Sequence, residues 1–407
     1  MPHSFEDDCD FLAKHTRTIV LGDRRKGAIV LAPEYQGRVM TSTAGGTAAA
    51  SFGWINYELI QSGQRKSQIN LYGGEERFWL APEGGKYSIF FPPTAVDQPL
   101  DFCDWRVPEC IDTDGFEVVG QSETEVHFTH TARLQNRFGF TFDLGFDRRV
   151  GLLSAEDASQ TLGCPVEWIQ SLDHVVHESQ NTLQNCGDSA WRHETGLLCI
   201  WVLCMNSPSP GATLIVPYQS GSEEALGPIV NAEYFGKLGS DRLVVDPQKA
   251  QIYLLGDGQY RSKLGLRYPR AKSILGSWDR DKRVLTIVWF NLPEANASQG
   301  GDSVGICRRN GVVDYVNNVW QVQDDEFSGD VINGYNDGPN ESGEKLGGFY
   351  ELESLSPGLC LQPKQAYTHI HRTIHLQATT EKQLQQIDQI ARHVFDVNLE
   401  TIENVFQ

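Results

Sequence analysis

Strand-like alternation runs through almost the whole chain, and no helical pattern of comparable reach competes with it. "GAIVLAPEYQGRVMTSTA", "FEVVGQSETEVHFTHTARL", "FGFTFDLGFDRRVGLL", "DRLVVDPQKAQIYLL" and "RVLTIVWFNL" each alternate β-branched or aromatic residues with polar ones. Gly-Asp, Asp-Gly, Asn-Gly and Pro-Gly pairs separate them, and such pairs turn a chain sharply. The spacing predicts a long antiparallel meander. Thirty-nine glycines and nine tryptophans beside three methionines fit turns and strands better than a helical bundle.

Two stretches read as helix. "SAEDASQTLG" opens with Ser154, places Asp157 three residues on, and ends at Gly163, a capping-box start and a glycine stop. In the tail, Thr380 caps a stripe of Leu384, Ile387, Ile390, Ala391 and Val394 at helical spacing, and "NLETIENVF" gives a short second helix. There is no internal repeat and no linker. The expectation is an all-β, two-sheet antiparallel sandwich over residues 1–379, with a helical appendage over 380–407 docked on it. The polar stretch 334–348, "GYNDGPNESGEKLGG", reads as a loop of functional length.

The net charge of −19 argues against nucleic acid, because phosphate recognition needs a basic footprint, and against anionic membranes. Nine cysteines without a C-x-x-C pair read as reduced, buried thiols rather than a disulfide frame. Cys199 and Cys204, five apart, fall on opposite faces of a strand. The start, "MPHSFEDDCDFLAKH", has no basic and apolar leader pattern, and no apolar run approaches a membrane span, so the expected location is cytoplasmic.

The strongest chemical constellation lies late in the chain, in "GGFYELESLSPG" followed by "LCLQPKQAYTHIHRTIHLQ". Alternation places Glu351 with Glu353, and His369 with His371, Thr373 and His375. A short connection would pair the two strands as a hairpin, with glutamates and histidines on one polar face. Tyr350, Leu352, Ile370, Ile374 and Leu376 would then face the sandwich interior. Arg372 falls in that apolar register and calls for a bulge or an ion pair. The polar face offers acid–base or sugar-contacting chemistry through Glu351, Glu353, His369 and His371. A divalent metal at His369 and His371 is the alternative, and a solvated strand face is the inert one.

A second constellation is "GGEERFWLAPEGG", residues 73–85, where four glycines enclose charges and aromatics. Glu75, Glu76, Arg77, Trp79 and Glu83 suit a cleft wall, since aromatic faces stack on sugar C–H faces while carboxylates and guanidinium bond hydroxyls. The inert alternative is a rigid turn with Trp79 in the core. Lys263 in "GDGQYRSKLGL" and Asn336 and Asp337 in the polar loop complete the candidate substrate contacts with Glu76, Arg77, Trp79 and Glu83. "HVVHESQNTLQN" offers His174, His177, Glu178, Asn181 and Asn185, mostly as strand-surface residues. No dinucleotide fingerprint, P-loop, G-x-S-x-G elbow or H-E-x-x-H motif is present.

Taken together, several blocks resemble the mutarotase-like supersandwich group, which includes the aldose 1-epimerases. They are "KGAIVLAPEYQGRVMTST" (26–43), "GGEERFWLAPEGG", "ESQNTLQN", "YNDGP", "GGFYELESLSPG" and "THIHRTIHL". The resemblance runs over most of residues 11–407 and is most specific to an outlying bacterial branch. It implies two large curved antiparallel sheets and a concave face that binds carbohydrate. In true epimerases a histidine protonates the ring oxygen and a glutamate deprotonates the anomeric hydroxyl. The resemblance points to Glu351 or Glu353 as that glutamate and to His174 or His177 as the mid-chain histidine, whereas the His-x-His strand is foreign to the epimerases. The implied ligand is a sugar or sugar derivative, with no cofactor. A non-catalytic sugar-binding protein and a metal-dependent carbohydrate-active enzyme are the alternative functions.

Overall fold

A computed structural model describes residues 4–45, 51–94, 98–293, 305–317, 325–340 and 343–407. Alternating segments become strands of a ten-stranded and a five-stranded sheet, antiparallel at every pairing. In spatial order the large sheet runs Leu243–Asp246, Gln251–Leu255, Ala212–Pro217, Ile274–Asp279, Val284–Phe290, Ala366–Gln377, Asp173–Asn185, Thr141–Leu152, Glu125–Gln135 and Glu117–Gln121. The smaller sheet runs Ser262–Arg267, Asp330–Asn336, Tyr350–Leu355, Cys199–Asn206 and Arg77–Ala81. A separate three-stranded sheet holds Ile19–Gly22, Ala28–Ala32 and Arg38–Thr43.

The main core joins the two larger sheets: Val202, Leu264, Ile332 and Leu352 share one apolar cluster with Phe146, Leu183, Val288 and Phe290. A second core contains the other face of the large sheet. There Val176, Ile287, Ile374 and Leu376 pack with helix residues Ala158, Ile387, Ile390 and Phe395. The two expected helices form at Ala155–Leu162 and Glu381–Phe395. Ser154 with Asp157 and Thr380 with Gln383 make capping boxes, and Gly163 ends the first in the left-handed region. Leu399–Asn404 follows as the short last helix. An N-terminal helix, Phe5–His15, was not expected, although Ser4 and Asp7 form the same capping box. No helix among the described residues is long and apolar enough to cross a membrane.

The late hairpin does not form. Tyr350–Leu355 pairs with Asp330–Asn336 and Cys199–Asn206, whereas Ala366–Gln377 crosses to the large sheet between Val284–Phe290 and Asp173–Asn185. Tyr350 and Leu352 do turn toward the sandwich. Ile374 and Leu376 instead lie under the helices, because the tail supplies an apolar cover for that face. The histidine register therefore faces the interior. Arg372 needs no bulge: its ladder with Asp173–Asn185 is continuous, it pairs with Glu178 directly opposite, and its guanidinium sits 5.4 Å from the Trp289 ring. The "GYNDGPNESGEKLGG" loop begins later than expected, since residues through Asn336 belong to a strand.

At Gly276 the tail packs closely on the sheet: an added Cβ would stand 2.8 Å from Phe395 Cζ and 2.4 Å from the Thr286 carbonyl oxygen. Phe395 is 1% exposed. Phe395→Ala should destabilise the protein by about 3–5 kcal/mol in equilibrium denaturation, the usual cost of emptying a buried aromatic site.

Candidate functional site

The face of the five-stranded sheet directed away from the large sheet carries a cavity of about 480 Å³. Cross-strand register builds its floor in rows. Lys263, Tyr335, Glu351 and Met205 stand side by side across four strands. Asn333, Glu353, Leu203 and Arg77 form the next row, and Trp201 with Trp79 the third. Strand alternation turns all of these to one face. Trp105, Phe349, Tyr234 and Phe235 close the sides, and Glu83 stands at the end of the tryptophan row's strand.

The polar groups of this cavity are few and constrained. Glu351 is ion-paired with Arg77, whose guanidinium also sits 4.9 Å from the Trp79 ring centroid. Glu353 accepts a hydrogen bond from Trp201 Nε1 at 2.8 Å and another from Lys263 Nζ at 3.4 Å. Trp79 and Trp201 meet edge to face, 5.8 Å apart. Several buried polar atoms of lining residues have no protein partner: Trp79 Nε1, Arg77 Nε and Glu353 Oε1. Buried polar groups are seldom left so, and a polar ligand would satisfy them. Burial pushes the Glu351 carboxyl up to about 7; Arg77 opposes the shift and Glu353 adds to it. Burial also raises Glu83, with Lys263 opposing.

Six of the sequence-derived candidates thus converge here: Arg77, Trp79, Glu83, Lys263, Glu351 and Glu353. Trp105, Trp201, Tyr335 and Phe349 join them without having been anticipated, and Arg261, offered by the same "GDGQYRSKLGL" stretch as Lys263, lines the cavity too. Trp201, Leu203 and Met205 do alternate in "IWVLCM", but only the sheet order reveals which face is open. Asn336 and Asp337 do not line the cavity. Asn336 binds the backbone of Gly258 and Tyr260 and the Asp257 side chain, and Asp337 accepts from the Gly347 and Gly348 amides and Tyr335. Both fasten loops at the cavity rim.

Glu76, His369 and His371 lie on the opposite side of the same sheet, between the layers, and each is fully buried. The expected shared face of glutamates and histidines is therefore divided by the sheet. His369 Nε2 and His371 Nδ1 both bond Ser354 Oγ at 2.8 Å, and His371 Nε2 meets Cys204 Sγ at 3.2 Å. Burial holds both rings neutral, at about 3 for His369, helped by His371, and about 4 for His371, where Glu76 opposes. His177 and Asn181, expected on a strand surface, belong to this interior instead. Arg148 pairs with Glu76 at 2.8 Å and with Asn181. Burial alone would raise Glu75 and Glu76. His375 and His177 outweigh it at Glu75, and Arg148 at Glu76, so both carboxyls lie below their ordinary value. Burial disfavours a charged His177, but Glu75 and Glu76 overcome it and raise its pKa.

The segment 73–79 feeds both systems. Gly74 has φ +119° and lies where a Cβ would strike Arg38 Cδ at 2.3 Å, so only glycine fits the turn. Beyond it, Glu75 and Glu76 enter the interior, and Arg77 and Trp79 turn to the cavity. The charges and aromatics of "GGEERFW" are thus split between two environments.

The chain belongs to a family of unknown function, DUF6786, whose model matches residues 3–406. No curated protein matches it in sequence. Among solved structures it is similar to the Slr1438 protein from Synechocystis sp. PCC 6803, at 11% identity and TM-score 0.47 over 89% of this chain and 96% of that one. It is also similar to a putative aldose 1-epimerase from Escherichia coli K12, at 9% identity and TM-score 0.46 over 88% and 98%. A galactose mutarotase-like protein from Lactobacillus casei ATCC 334 matches at 9% identity and TM-score 0.44 over 88% and 100%. These are likenesses of chain course, and the functional reading below rests on the cavity's side chains.

Two predictions follow from the charges. Because the Glu351 pKa is raised from 4.5 to about 7, the folded protein holds a proton that the unfolded chain has released between those values. Its contribution to stability is present below pH 4.5 and is lost as pH rises through 7. Denaturant titrations from pH 4.5 to 8 should show this decline in the wild type and a flatter profile in Glu351→Gln. In the interior, Arg148→Met leaves Glu76 without its guanidinium partner and should cost about 3–5 kcal/mol by the same measurement.

Proposed function

We propose that the cavity on the five-stranded sheet binds a sugar or sugar derivative, and that Glu351 and Glu353 exchange protons with it. One observation carries this reading: a tryptophan floor set directly beside two buried carboxyls, with the Trp79 indole N–H, the Arg77 Nε–H and a Glu353 carboxylate oxygen left without protein partners. Apolar ring faces with polar rims are the chemistry a pyranose presents. Its C–H face covers Trp79 and Trp201, and its hydroxyls reach the unpartnered atoms.

The two carboxyls stand in different environments, which suits an acid and a base in one site. Glu351, protonated to about pH 7, serves as the acid. Glu353, which receives N–H donors from Trp201 and Lys263, serves as the acceptor. Ring opening of an aldose needs this pair: the base removes the anomeric hydroxyl proton, the C–O ring bond breaks, and the acid protonates the released ring oxygen. Reclosure returns both protons. In this arrangement carboxyl works with carboxyl, since the imidazoles of His369 and His371 stand behind the sheet.

Proton NMR on freshly dissolved single anomers of an aldose panel tests the chemistry, and tryptophan fluorescence tests the binding. The expected outcome is saturable fluorescence change with at least one sugar and accelerated anomer exchange for that sugar. Glu351→Gln or Glu353→Gln should slow exchange by roughly 10²–10⁴-fold, the usual worth of a positioned acid or base. Trp79→Ala should weaken binding about 3–10-fold, as expected for loss of one stacking contact. Binding without exchange would leave a sugar-binding protein without this chemistry. No saturable response to any mono- or oligosaccharide would overturn the reading.

A further inference from the structure

We infer that Glu75, His177 and His375 form a buried site for a divalent first-row transition ion, with Zn²⁺ chemistry the best match to the donors. The site lies between the sheets, behind the cavity's floor. It is independent of the sugar reading and uses none of its residues.

The geometry points to a shared centre. His177 Nε2 and His375 Nε2 converge on one oxygen, Glu75 Oε1, at 3.1 and 2.8 Å. One donor atom from each of the three residues can be chosen so that all lie within 4.8 Å of one another. Tetrahedral coordination with metal bonds of about 2.0–2.1 Å places ligand atoms about 3.3 Å apart. The three side chains are therefore within a small rotation of a coordination triangle. Read as hydrogen bonding alone, the arrangement is lopsided. Glu75 Oε1 also receives Ser42 Oγ at 2.7 Å, giving it three neighbours, while Glu75 Oε2 is buried with none. An ion among the three groups engages the carboxylate and removes that asymmetry.

The far side of the His375 ring has the outer partner that a metal-binding imidazole usually keeps: its Nδ1 is 2.9 Å from Thr286 Oγ1. His177 Nδ1 makes no hydrogen bond and faces Glu76 Oε2 at 3.6 Å, a carboxylate placed to take its N–H after a small shift. The Phe52 ring lies 4.4 Å from His375 and helps shut the site from water. Two neighbouring carboxylates, Glu75 and Glu76, share a fully buried space with the Arg148 guanidinium. A divalent ion bound to the imidazoles would offset the carboxylate charge that a protonated imidazole otherwise offsets. Two nitrogens and one carboxylate oxygen suit Zn²⁺ or a neighbouring transition ion better than Mg²⁺ or Ca²⁺, which prefer all-oxygen shells.

Because all three residues are wholly buried, the ion enters as the chain folds. The full-length chain is unfolded in guanidinium with a chelator, desalted, and refolded with Zn²⁺, with Co²⁺, or with neither. The inference expects about one equivalent of ion retained after desalting and a higher melting temperature than the ion-free sample. The Co²⁺ form should show visible d–d bands and two exchangeable, strongly shifted proton signals from the two histidine Nδ1–H groups. His375→Gln and Glu75→Gln should lose retention and bands. Should those variants fail to fold, the two shifted signals in the wild type still decide the matter. Refolding to the same melting temperature without retained metal would overturn the inference and assign the cluster to ion pairing alone. Metal uptake that survives both substitutions, or a Co²⁺ form without the paired signals, would overturn the assignment to these residues.

Discussion

The pairing of Glu76 with Arg148 joins the entry to the small sheet's edge strand to the strand third from one edge of the large sheet. Both side chains are fully buried, and the contact is 2.8 Å. Neither charge is tolerable alone in that interior, so the ion pair fixes where residue 76 must lie. Once Glu76 is held, Arg77 and Trp79 must face outward by the two-residue period of a strand. The cavity floor is thus positioned from behind. Glu75 strengthens the same anchorage through His177 and His375, which belong to neighbouring strands of the large sheet.

The five-stranded sheet consequently acts as a partition. On its inner side the polar residues are buried and extensively tied to one another: His369 and His371 share Ser354, and Asn181 holds Arg148. On its outer side the polar residues are fewer and stand among aromatic rings. Unpartnered polar atoms occur on both sides, Glu353 Oε1 and Trp79 Nε1 toward the cavity and Glu75 Oε2 and His369 Nδ1 toward the interior. Residues 351–354 serve both sides in alternation. Glu351 and Glu353 face the cavity, Leu352 packs in the core, and Ser354 bridges the histidines.

Much of this was readable from the chain because strands and helix caps are local. Ser154 with Asp157 and Thr380 with Gln383 announce their helices, and the same signature at Ser4 and Asp7 was available but overshadowed by the acidic run after it. The pairing of Glu351 with Glu353 on one face also follows from period alone. The destination of each strand does not. Residues 350–355 and 366–377 look like hairpin partners because their connection is short, yet they join different sheets. The reason lies in distant residues: Ile374 and Leu376 find their apolar cover in the C-terminal helix, which turns His369, His371 and His375 inward. Period-two logic identifies which residues share a face, while the core covering decides which way that face points. The same nonlocal choice brought Trp201 beside Glu353 and removed Asn336 and Asp337 from the cavity.

The most direct test of the account is a crystal structure of the protein with a bound sugar, chosen as one that changes its tryptophan fluorescence. The account predicts a ring lying over Trp79 and Trp201, with hydroxyls within hydrogen-bond reach of Glu353 Oε1 and Trp79 Nε1 and the anomeric carbon beside Glu351. The interior network of Glu76, Arg148 and Ser354 would be unchanged. A sugar seated elsewhere, or one contacting His369 and His371 through a rearranged sheet, would contradict it.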